Sequence, residues 1–338
     1  MIRRMVHERF ICPVGQGGFS IEIIDGFVVV YDCGSTSSPQ MVESCVDYLA
    51  RHTDHVDLLF ISHFDKDHVN TLRYLLSTIQ VKRAVTSMIP KELKWCYGVY
   101  TNGAYTTIMD LLEEYVPERD RIGENEIEER GYTYNSIWEW ISRSMMTQAD
   151  FNGVKVQLQA AGIDLGQIEN AGYVEQNKET INNAFKIYFG PKGPNAKGLI
   201  MLSQHCKDVE TEKSLVGRAQ TWYRTYWIIN DSDVSSCLYV GDADMRNRAN
   251  NAAIQKFLNS HRTEKELQLM QVPHHGSRYN VGTQFENDYP ARFYFVNDST
   301  TKRLQGNNAL YKYLTTQKKL LVARDVCKDV INTETRIK

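Results

Sequence analysis

Apolar positions in the first third of the chain follow two periods, one of two residues, typical of strands, and one of 3.6 residues, typical of helices. The dipeptide Asp25-Gly26, which is typical of hairpin turns, separates the first two apolar runs. The pattern predicts two strands, a helix, a third strand and a second helix, in this order: Phe19–Ile24, Phe27–Tyr31, Met41–Ala50, Val56–Ser62 and Val69–Ile79.

Short apolar runs dominate the second half of the chain. Most of them are rich in β-branched and aromatic residues, and turn residues separate them, as expected for strands. The strands predicted there are Ala184–Phe189, Gly198–Leu202, Thr221–Ile229, Ser235–Val240, Leu267–Val272, Arg292–Val296 and Lys319–Ala323.

Residues 91–178 have a different character, helical in pattern and rich in aromatic side chains. Amphipathic spacing over Ile108–Val116 predicts one helix, and Ile137–Met146 is predicted as another. The segment is longer than an ordinary connecting loop. We therefore predict a β-rich domain formed by residues 1–90 and 179–338, with a mostly helical insertion, or cap, between them.

The composition excludes several classes of protein. The formal net charge of −2 argues against broad electrostatic binding to duplex nucleic acid, although not against a small, locally held anion. No apolar run reaches the roughly 18 residues that a membrane span needs, and the first residues do not resemble a signal peptide. The seven cysteines form no C-x-x-C pair. We therefore expect a cytoplasmic protein with reduced thiols and no membrane contact.

Four potential metal ligands lie within six residues, where the predicted strand Val56–Ser62 ends and a helix begins. Residues two apart face the same side of an extended chain, so His63 and Asp65 can converge on one metal. The turn into the helix then lets Asp67 and His68 point toward a neighbouring metal. A helix N-cap would explain Asp67 alone, but not two acids and two histidines at the end of a buried strand. The segment therefore predicts a metal site.

Two further motifs follow predicted strands. Asp242 comes after Ser235–Val240 and a glycine, where it could reach a site at the sheet edge, although Gly-Asp is also common in turns. His274 and His275 follow Leu267–Val272. A lone histidine is more often structural, but a pair at a strand end, before a glycine that allows a tight turn, favours a functional role. The three clusters support one another because each lies at a strand end.

In this order, the three motifs resemble those of the metallo-β-lactamase-fold hydrolases. Within that superfamily the chain is most similar to the hydrolase domain of competence proteins that act in DNA uptake (ComEC-like). That group also has a glycine-rich hairpin, similar to Val14–Gly18, and a strand that ends in Asp-x-Gly, similar to Asp32–Gly34. The resemblance covers about residues 10–90 and 184–325. It implies an α/β fold, the αββα sandwich, with metals at one edge.

Three positions bear on how close this resemblance is. Histidine is commoner in the superfamily where this chain has Asp65, although the competence-like branch also has aspartate there. Gly18 stands where that branch often has aspartate. Many members carry a further metal-binding histidine on a central strand, for which His205 is a candidate, although a surface-loop histidine is the better interpretation.

The resemblance also implies which residues bind metal. On the family motif the ligands divide as follows: His63 and Asp65 for the first metal, Asp67, His68 and His275 for the second, and Asp242 bridging both. Three carboxylates and three imidazoles form a harder set than an all-histidine zinc site, so the two divalent ions would be Zn²⁺ or Mn²⁺. They would activate a bridging water to hydroxide and clamp the substrate oxygens.

Two more residues receive roles from the resemblance. Asp32 corresponds to an acid that orients a ligand histidine through its free N–H. His274 would contact substrate or support the ligands, and with Asp67 and Asp242 it is a predicted catalytic residue.

The resemblance favours hydrolysis of a phosphodiester, and hence a nuclease or phosphodiesterase acting on nucleic acid or a nucleotide. Arg246, Arg248 and Arg278 lie near the motif loops and could approach a phosphate, although ordinary solvated surface explains them equally well. Aromatic residues of the insertion could stack bases, but core packing explains most of them. The insertion could also bind a protein partner.

Two other functions stay open. The same site could hydrolyse a lactone, a thioester or another ester, for which a neutral, apolar cleft would be evidence. The chain could instead be a non-catalytic, metal-binding partner subunit, although the intact ligand set argues against this because a pseudoenzyme usually loses some ligands. Metal content and a phosphodiesterase assay would separate the three.

Overall fold

Two β-sheets packed face to face form the centre of the computed structural model, with helices on both outer sides. Three clusters of buried apolar residues fill the spaces between these layers. The structure describes residues 5–122, 128–190, 193–209, 211–221, 224–232, 235–282, 284–298, 308–317, 319–323 and 330–337.

The first sheet is mixed. In the described residues it has nine strands: β1 (Met5–Ile11), β2 (Gly17–Ile24), β3 (Phe27–Ser35), β4 (His55–Ile61), β5 (Gln80–Ser87), β6 (Glu118–Ile122), β10 (Thr211–Thr221), β11 (Arg224–Ser232) and β16 (Val330–Ile337). Their spatial order is β11-β10-β16-β1-β2-β3-β4-β5-β6. The strands from β3 to β6 run parallel, and the other neighbours are antiparallel.

The second sheet is also mixed. Over the described ranges it has seven strands: β7 (Glu129–Tyr134), β8 (Trp138–Ser144), β9 (Leu199–His205), β12 (Cys237–Tyr239), β13 (Leu267–Gln271), β14 (Ala291–Asn297) and β15 (Leu320–Ala323). Their spatial order is β15-β14-β13-β12-β9-β8-β7, and the strands from β12 to β15 run parallel.

Helices cover the outer face of each sheet. On the first sheet lie α1 (Pro39–Ala50), α2 (Lys66–Val69), α3 (Leu72–Thr78), α4 (Lys94–Tyr100), α5 (Ala104–Tyr115), α6 (Gln148–Ala160), α7 (Ala171–Gln176) and α8 (Lys178–Phe189). On the second lie α9 (Arg248–His261), α10 (Phe285–Asp288) and α11 (Asn308–Thr316). Among the helices described, none is long and apolar enough to cross a membrane.

Strand β3 shows why the sequence forms layers. Val28 and Val30 point toward the helices, whereas Val29 and Tyr31 point toward the second sheet. Successive side chains on a strand face opposite sides, so a strand buried on both faces is apolar at every position. The continuous apolar runs of the sequence therefore become central strands. The α/β fold, an αββα sandwich, is confirmed.

Two predicted elements are wrong in type. The helix expected over Ile137–Met146 is strand β8, because Trp138 and Trp140 alternate into the space between the sheets. The strand expected over Ala184–Phe189 is the end of helix α8, whose buried helical spacing begins earlier, at Ile181. In both places the apolar run alone was too short to distinguish the two periods.

The sequence pattern also missed several elements, among them strands β1, β5, β6, β7, β10 and β16 and helices α6 and α9. Strand β1 carries His7 and Arg9 at buried positions, so its strand period is hidden by charged residues. The strand expected over Thr221–Ile229 corresponds to β11, and residues 222–223 lie outside the described residues.

Residues 91–178 contribute to both sheets as well as to the helical layer. Strand β6 pairs in parallel with β5, with Asp120 beside Val85. Strand β8 pairs with β9, with Trp140 opposite Ser203. The segment is therefore not helical throughout, and its strands tie it into the sandwich. That residues 91–178 form a cap distinct from the rest of the domain remains a prediction.

A buried polar network joins the two sheets around Glu22. Its carboxylate accepts hydrogen bonds from Arg9 Nε at 2.7 Å and from His7 Nε2 at 3.0 Å. Trp140 Nε1 and Tyr239 Oη also donate to it, at 2.7 and 2.8 Å. Burial works to raise the pKa of Glu22, but the neighbouring Arg9 and His7 lower it well below its usual range. The core therefore contains a fully buried ion pair.

Stability is expected to fall on mild acidification because of His7. Its ring stacks on Trp138 at 3.8 Å, and burial lowers its pKa from 6.5 to about 4. The unfolded chain therefore binds a proton on His7 more tightly than the folded protein does. The resulting contribution of His7 to the free energy of unfolding, about 3 kcal/mol, is complete above pH 6.5 and is lost as the pH falls through about 4. Urea unfolding at pH 7.5 and 4.5 measures it. His7→Asn should have a shallower pH dependence, and an unchanged slope would contradict this account.

Candidate metal centre

The carboxyl ends of five strands meet at one edge of the sandwich. Strands β3 and β4 are parallel in the first sheet, as are β12, β13 and β14 in the second. Hydrogen bonds join the sheets at this edge: Leu199 N donates to Ser62 O at 2.6 Å, and Tyr31 Oη donates to Leu199 O at 2.9 Å. Residues that follow these strands therefore share one site.

The deepest part of the site is formed by His63, His68 and Asp242. His63 Nε2 lies 3.7 Å from Asp242 Oδ2, and His68 Nε2 lies 3.4 Å from Asp242 Oδ1. In the described part of the chain, three buried atoms have no hydrogen-bond partner here: His63 Nε2, His68 Nε2 and Asp242 Oδ1. Each such atom costs about 1–3 kcal/mol, more when charged. One cation among them would satisfy all three, so these residues fit a metal.

A second group of potential ligands, Asp67, His68 and His275, lies beside the first. His275 Nε2 is 3.0 Å from Asp67 Oδ2, and the rings of His68 and His275 have centroids 5.8 Å apart. Candidate ligand atoms of this group all lie within 4.8 Å of one another. His68 belongs to both groups, so the two positions are adjacent.

Asp65 lies at the solvent side of the site. It directly precedes helix α2, its carboxylate is 4.0 Å from His63 Nε2, and its side chain is 41% exposed. It therefore lies near the first group without belonging to it. All six predicted ligands are brought to this edge, and Asp65 is the outermost.

Asp32 and Ser62 hold the two deep histidines in place. Asp32 Oδ2 lies 2.8 Å from His68 Nδ1, and the same carboxylate accepts hydrogen bonds from Ser62 N and Ser62 Oγ, both at 2.7 Å. Ser62 Oγ in turn lies 2.9 Å from His63 Nδ1. With both Nδ1 atoms engaged, each histidine turns Nε2 toward Asp242. Asp32 has a left-handed φ of 59°, uncommon outside glycine, which indicates a constrained position.

The loop after β13 aims two histidines at the site. His274, His275 and Gly276 have φ values of 50°, 53° and 79°, three left-handed residues in succession. His275 Nδ1 donates to the Asn297 carbonyl at 2.9 Å, which leaves Nε2 facing Asp67. His274 Nδ1 lies 3.0 Å from Asn280 Oδ1, and its Nε2 is 3.7 Å from Asp242 Oδ2. Backbone strain of this kind persists where the surrounding structure fixes a functional geometry.

Histidines and carboxylates shift one another's charge at this edge. Burial works to raise the pKa of Asp242, but His68 and His63 hold it well below its usual range. Burial lowers the pKa of His63, and His68 beside it acts in the same direction. Burial works to lower the pKa of His68 as well, but Asp32 and Asp242 raise it well above its usual range. His63 is therefore the neutral imidazole that faces the ionised Asp242, the protonation state in which both bind a metal, whereas a metal at His68 would displace a proton.

Two glycines leave room for these side chains. A Cβ atom at Gly18 would lie 2.9 Å from His68 Nδ1 and 3.0 Å from the Asp32 carboxylate. Gly241 has a left-handed φ of 51°, and a Cβ atom there would lie 2.9 Å from the Ser62 Cβ. The aspartate that the competence-like branch often has at position 18 would not fit this arrangement without a shift of the backbone.

Arg246, Arg248 and Arg278, the predicted substrate-binding residues, are exposed around the loops that carry Asp242 and His275. Arg246 Nη1 donates to the Arg278 carbonyl at 3.2 Å, whereas Arg278 donates to Tyr279 Oη at 2.9 Å. Arg248 begins helix α9. Over the described residues, none of the three hydrogen-bonds to a predicted ligand. Their role in binding substrate stays a prediction.

His205 lies far from this edge. It ends strand β9, whose first residue, Leu199, is the one bonded to Ser62. Because β9 runs antiparallel to β12, its carboxyl end is at the opposite side of the sheet. His205 Nε2 lies 3.2 Å from Glu264 Oε1, so it is not a further ligand at this site.

Sequence analysis missed Ser62, Asn280 and Asn297. Ser62 directly precedes the predicted ligand His63, and this position was the signal in the sequence that could have identified it. Asn280 and Asn297 lie 6 and 22 residues from the histidines that they contact, and nothing in the local sequence connects them.

His275, rather than His274, is expected to bind metal directly. His275 is buried in a group of potential ligands, whereas the His274 side chain is 34% exposed. His275→Ala should therefore remove metal from the second position, and His274→Ala should leave metal content nearly unchanged. Elemental analysis after dialysis measures both variants. The opposite pattern would reverse the assignment.

Residues 16–133, about a third of the chain, match the family model described as the metallo-beta-lactamase superfamily. These residues run from the start of β2 into β7 and contain the first motif. The match agrees with the two mixed sheets and their flanking helices, and together these observations identify the fold. The chain has a metallo-β-lactamase fold. The closer resemblance to competence proteins stays a prediction.

Several solved structures are similar to the chain at low identity. They include a new diphosphatase from the PhnP family, at 8% identity and a TM-score of 0.46, with 98% of this chain and 99% of that chain covered. The metallo-beta-lactamase fold protein YhfI from Bacillus subtilis has 7% identity and a TM-score of 0.44, with 94% and 97% covered. MEM-A1, a subclass B3 metallo-beta-lactamase from a soil metagenome library, has 10% identity and a TM-score of 0.36, with 92% of each chain covered. No curated protein sequence matches the chain.

Proposed function

We propose that the protein is a metal-dependent hydrolase that cleaves a phosphodiester, as a nuclease or nucleotide phosphodiesterase. The observation that carries the substrate class is a cleft of about 920 Å³ that opens beside Asp65 and Asp67. Three cationic side chains line it: Lys66, Arg73 and Lys186. A neutral, apolar cleft would favour a lactone or thioester, whereas a cationic one favours an anionic substrate.

The residues of the metal centre would hold two divalent ions, Zn²⁺ or Mn²⁺. When bound, such ions lower the pKa of a water molecule and neutralise charge on the group being cleaved. His63, His68 and Asp242 suit one position, and Asp67 and His275 lie at the other. Asp32 and Ser62 orient the ligands, because they engage the Nδ1 atoms of the two deep histidines.

His274 is suited to handle a proton beside the scissile bond. Asn280 Nδ2 donates to the Asp242 carbonyl at 2.9 Å, so Asn280 Oδ1 is free to accept the N–H of His274 Nδ1. The neutral ring then carries its lone pair on Nε2, beside Asp242. We propose that Nε2 accepts a proton during attack or, when protonated, donates one to the leaving oxygen.

Hydrolysis of bis(p-nitrophenyl) phosphate and of single-stranded DNA, first with Mn²⁺ and then with Zn²⁺, tests the proposal. We expect release of p-nitrophenol that depends on added metal. Lactone and thioester substrates serve as the comparison. Turnover of those esters without cleavage of any phosphodiester would favour the second hydrolase function, and tight metal binding without turnover of either would favour a non-catalytic subunit.

A further inference from the structure

The cleft beside Asp65 and Asp67 is enclosed by helices α2, α3, α4, α5 and α8, and we call it the helical cleft. Its volume of about 920 Å³ lies within the range of small-molecule sites in proteins, roughly 300–1,000 Å³. Two of the predicted metal ligands, Asp65 and Asp67, lie on its wall, so the cleft begins beside the metal centre. A ligand whose reacting group sits at the metals would therefore extend along the helices.

The charge of the helical cleft is positive beyond the metal centre. Lys66, Arg73 and Lys186 are exposed on its wall, and none forms an ion pair with any residue in the ranges that the structure describes. The acids on the wall are Asp65 and Asp67, both predicted metal ligands. Three cations without acidic partners, on separate helices, attract an anion to the space between them.

Two lysines that do not line the cleft are paired with acids. Lys155 Nζ lies 2.6 Å from Glu92 Oε1, and Lys197 contacts Asp150. Lys66, Arg73 and Lys186 have no such partner among the described residues, so their charge is available to an anion in the cleft. Backbone amides at the start of α5 do not replace them: those of Ala104 and Tyr105 already donate to Thr101, at 3.1 Å each.

Asn182 supplies a second, independent observation. Its side chain lines the helical cleft and also an adjoining cavity of about 600 Å³ between α4, α7 and α8. Its Oδ1 atom is buried and has no hydrogen-bond partner among the residues described. A buried acceptor left open costs about 1–3 kcal/mol unless a ligand N–H or O–H supplies the donor. The apolar side chains of Ile108 and Leu111 lie on the same wall.

From these observations we infer that the helical cleft binds a second phosphate of the substrate, one that is not cleaved, through Arg73 and Lys186. Asn182 Oδ1 accepts a hydrogen bond from the sugar or base attached to that phosphate. The substrate is thus a short nucleotide chain with a phosphate beyond the scissile bond. This inference rests on the proposed function, because the proposed chemistry places the reacting phosphodiester at the metal centre.

Arg73→Glu and Lys186→Glu test the inference, with Lys256→Glu as the matched control, since Lys256 is an exposed lysine of α9 that does not line the cleft. Three substrates separate the contributions: bis(p-nitrophenyl) phosphate and the dinucleotide TpT carry only the scissile phosphate, whereas pTpT carries a terminal one as well. For pTpT each cleft variant should raise KM at least about tenfold, the loss expected for a charge-assisted hydrogen bond. Values for the other two substrates, and for the control, should stay within about twofold. A longer oligonucleotide without a terminal phosphate distinguishes an internal second phosphate from a terminal one.

Equilibrium binding separates failure of the inference from failure of the proposed function. Titration calorimetry with a phosphorothioate analogue of pTpT should show weaker binding to both cleft variants, whether or not the wild-type protein hydrolyses phosphodiesters. Wild-type hydrolysis with unchanged pTpT kinetics in both variants would overturn the inference alone. Unchanged metal content and melting temperature show that a variant is folded, and Arg73→Gln replaces Arg73→Glu if the latter is not.

Discussion

Asp242→Asn is expected to reduce kcat/KM for a model phosphodiester by about a thousandfold, or about 4 kcal/mol at 1.36 kcal/mol per tenfold change. The substitution keeps the shape of the side chain but removes the charge that faces His63 at 3.7 Å and His68 at 3.4 Å. Asp242 belongs to the first group of potential ligands and is predicted to bridge both metals, so metal content should fall as well. Steady-state kinetics and elemental analysis measure the two effects.

Asp244→Asn is the matched control for that experiment. Asp244 lies two residues further along the same loop, where its carboxylate accepts a hydrogen bond from Arg246 N at 3.1 Å. It belongs to neither group of potential ligands. Equal activity and equal metal content in the two variants would overturn the place of Asp242 in the metal centre. If Asp242→Asn loses metal but the wild-type protein hydrolyses no phosphodiester, the result counts against the proposed hydrolysis alone.

Glu22→Gln is expected to lower the free energy of unfolding by about 3–5 kcal/mol, the cost of leaving a buried charge without its partner. Arg9 is completely buried, and its Nε donates to Glu22 Oε1 at 2.7 Å. The neutral amide would keep most of the volume but would remove the carboxylate charge that faces the buried guanidinium. The midpoint of urea unfolding at pH 7.5, with the slope checked for two-state behaviour, measures the loss.

Glu8→Gln separates this effect from any general effect on strand β1. Glu8 alternates with Arg9 along the strand, and burial and the nearby Glu334 raise its pKa. Removing that charge should therefore change stability little or increase it slightly. If Glu22→Gln and Glu8→Gln had the same unfolding midpoint, the ion pair of Glu22 with Arg9 would not contribute to the fold as inferred.

The metal centre and the buried network occupy different parts of the sandwich. Glu22 lies within β2, between the two sheets, whereas Asp242 lies beyond the carboxyl end of β12. Substitutions at the first should change stability, and substitutions at the second should change metal binding. Measuring both properties for each variant therefore tests this separation directly.

Local sequence determined the strands that carry the metal ligands and the positions of those ligands. The continuous apolar runs over Phe27–Tyr31 and before His63 predict central strands, because both faces of these strands are buried. Ligands that directly follow such strands are close along the chain to the element that positions them. The αββα fold, with its metals at one edge, was implied by the resemblance of these motifs to those of a known family.

Only the tertiary structure decided which distant residues complete the site. The Asp32 carboxylate reaches Ser62, 30 residues away, and Asn297 reaches His275, 22 residues away. Arg73 and Lys186 meet at one cleft because α3 and α8 pack on the same face of the first sheet. Strands β1 and β16, which are far apart in sequence, pair so that Met5 lies opposite Ile337, and no local period specifies this register. Periodicity reports which side of an element is buried, but it does not report what lies opposite. Those partners depend on how the layers pack, which is a property of the whole chain.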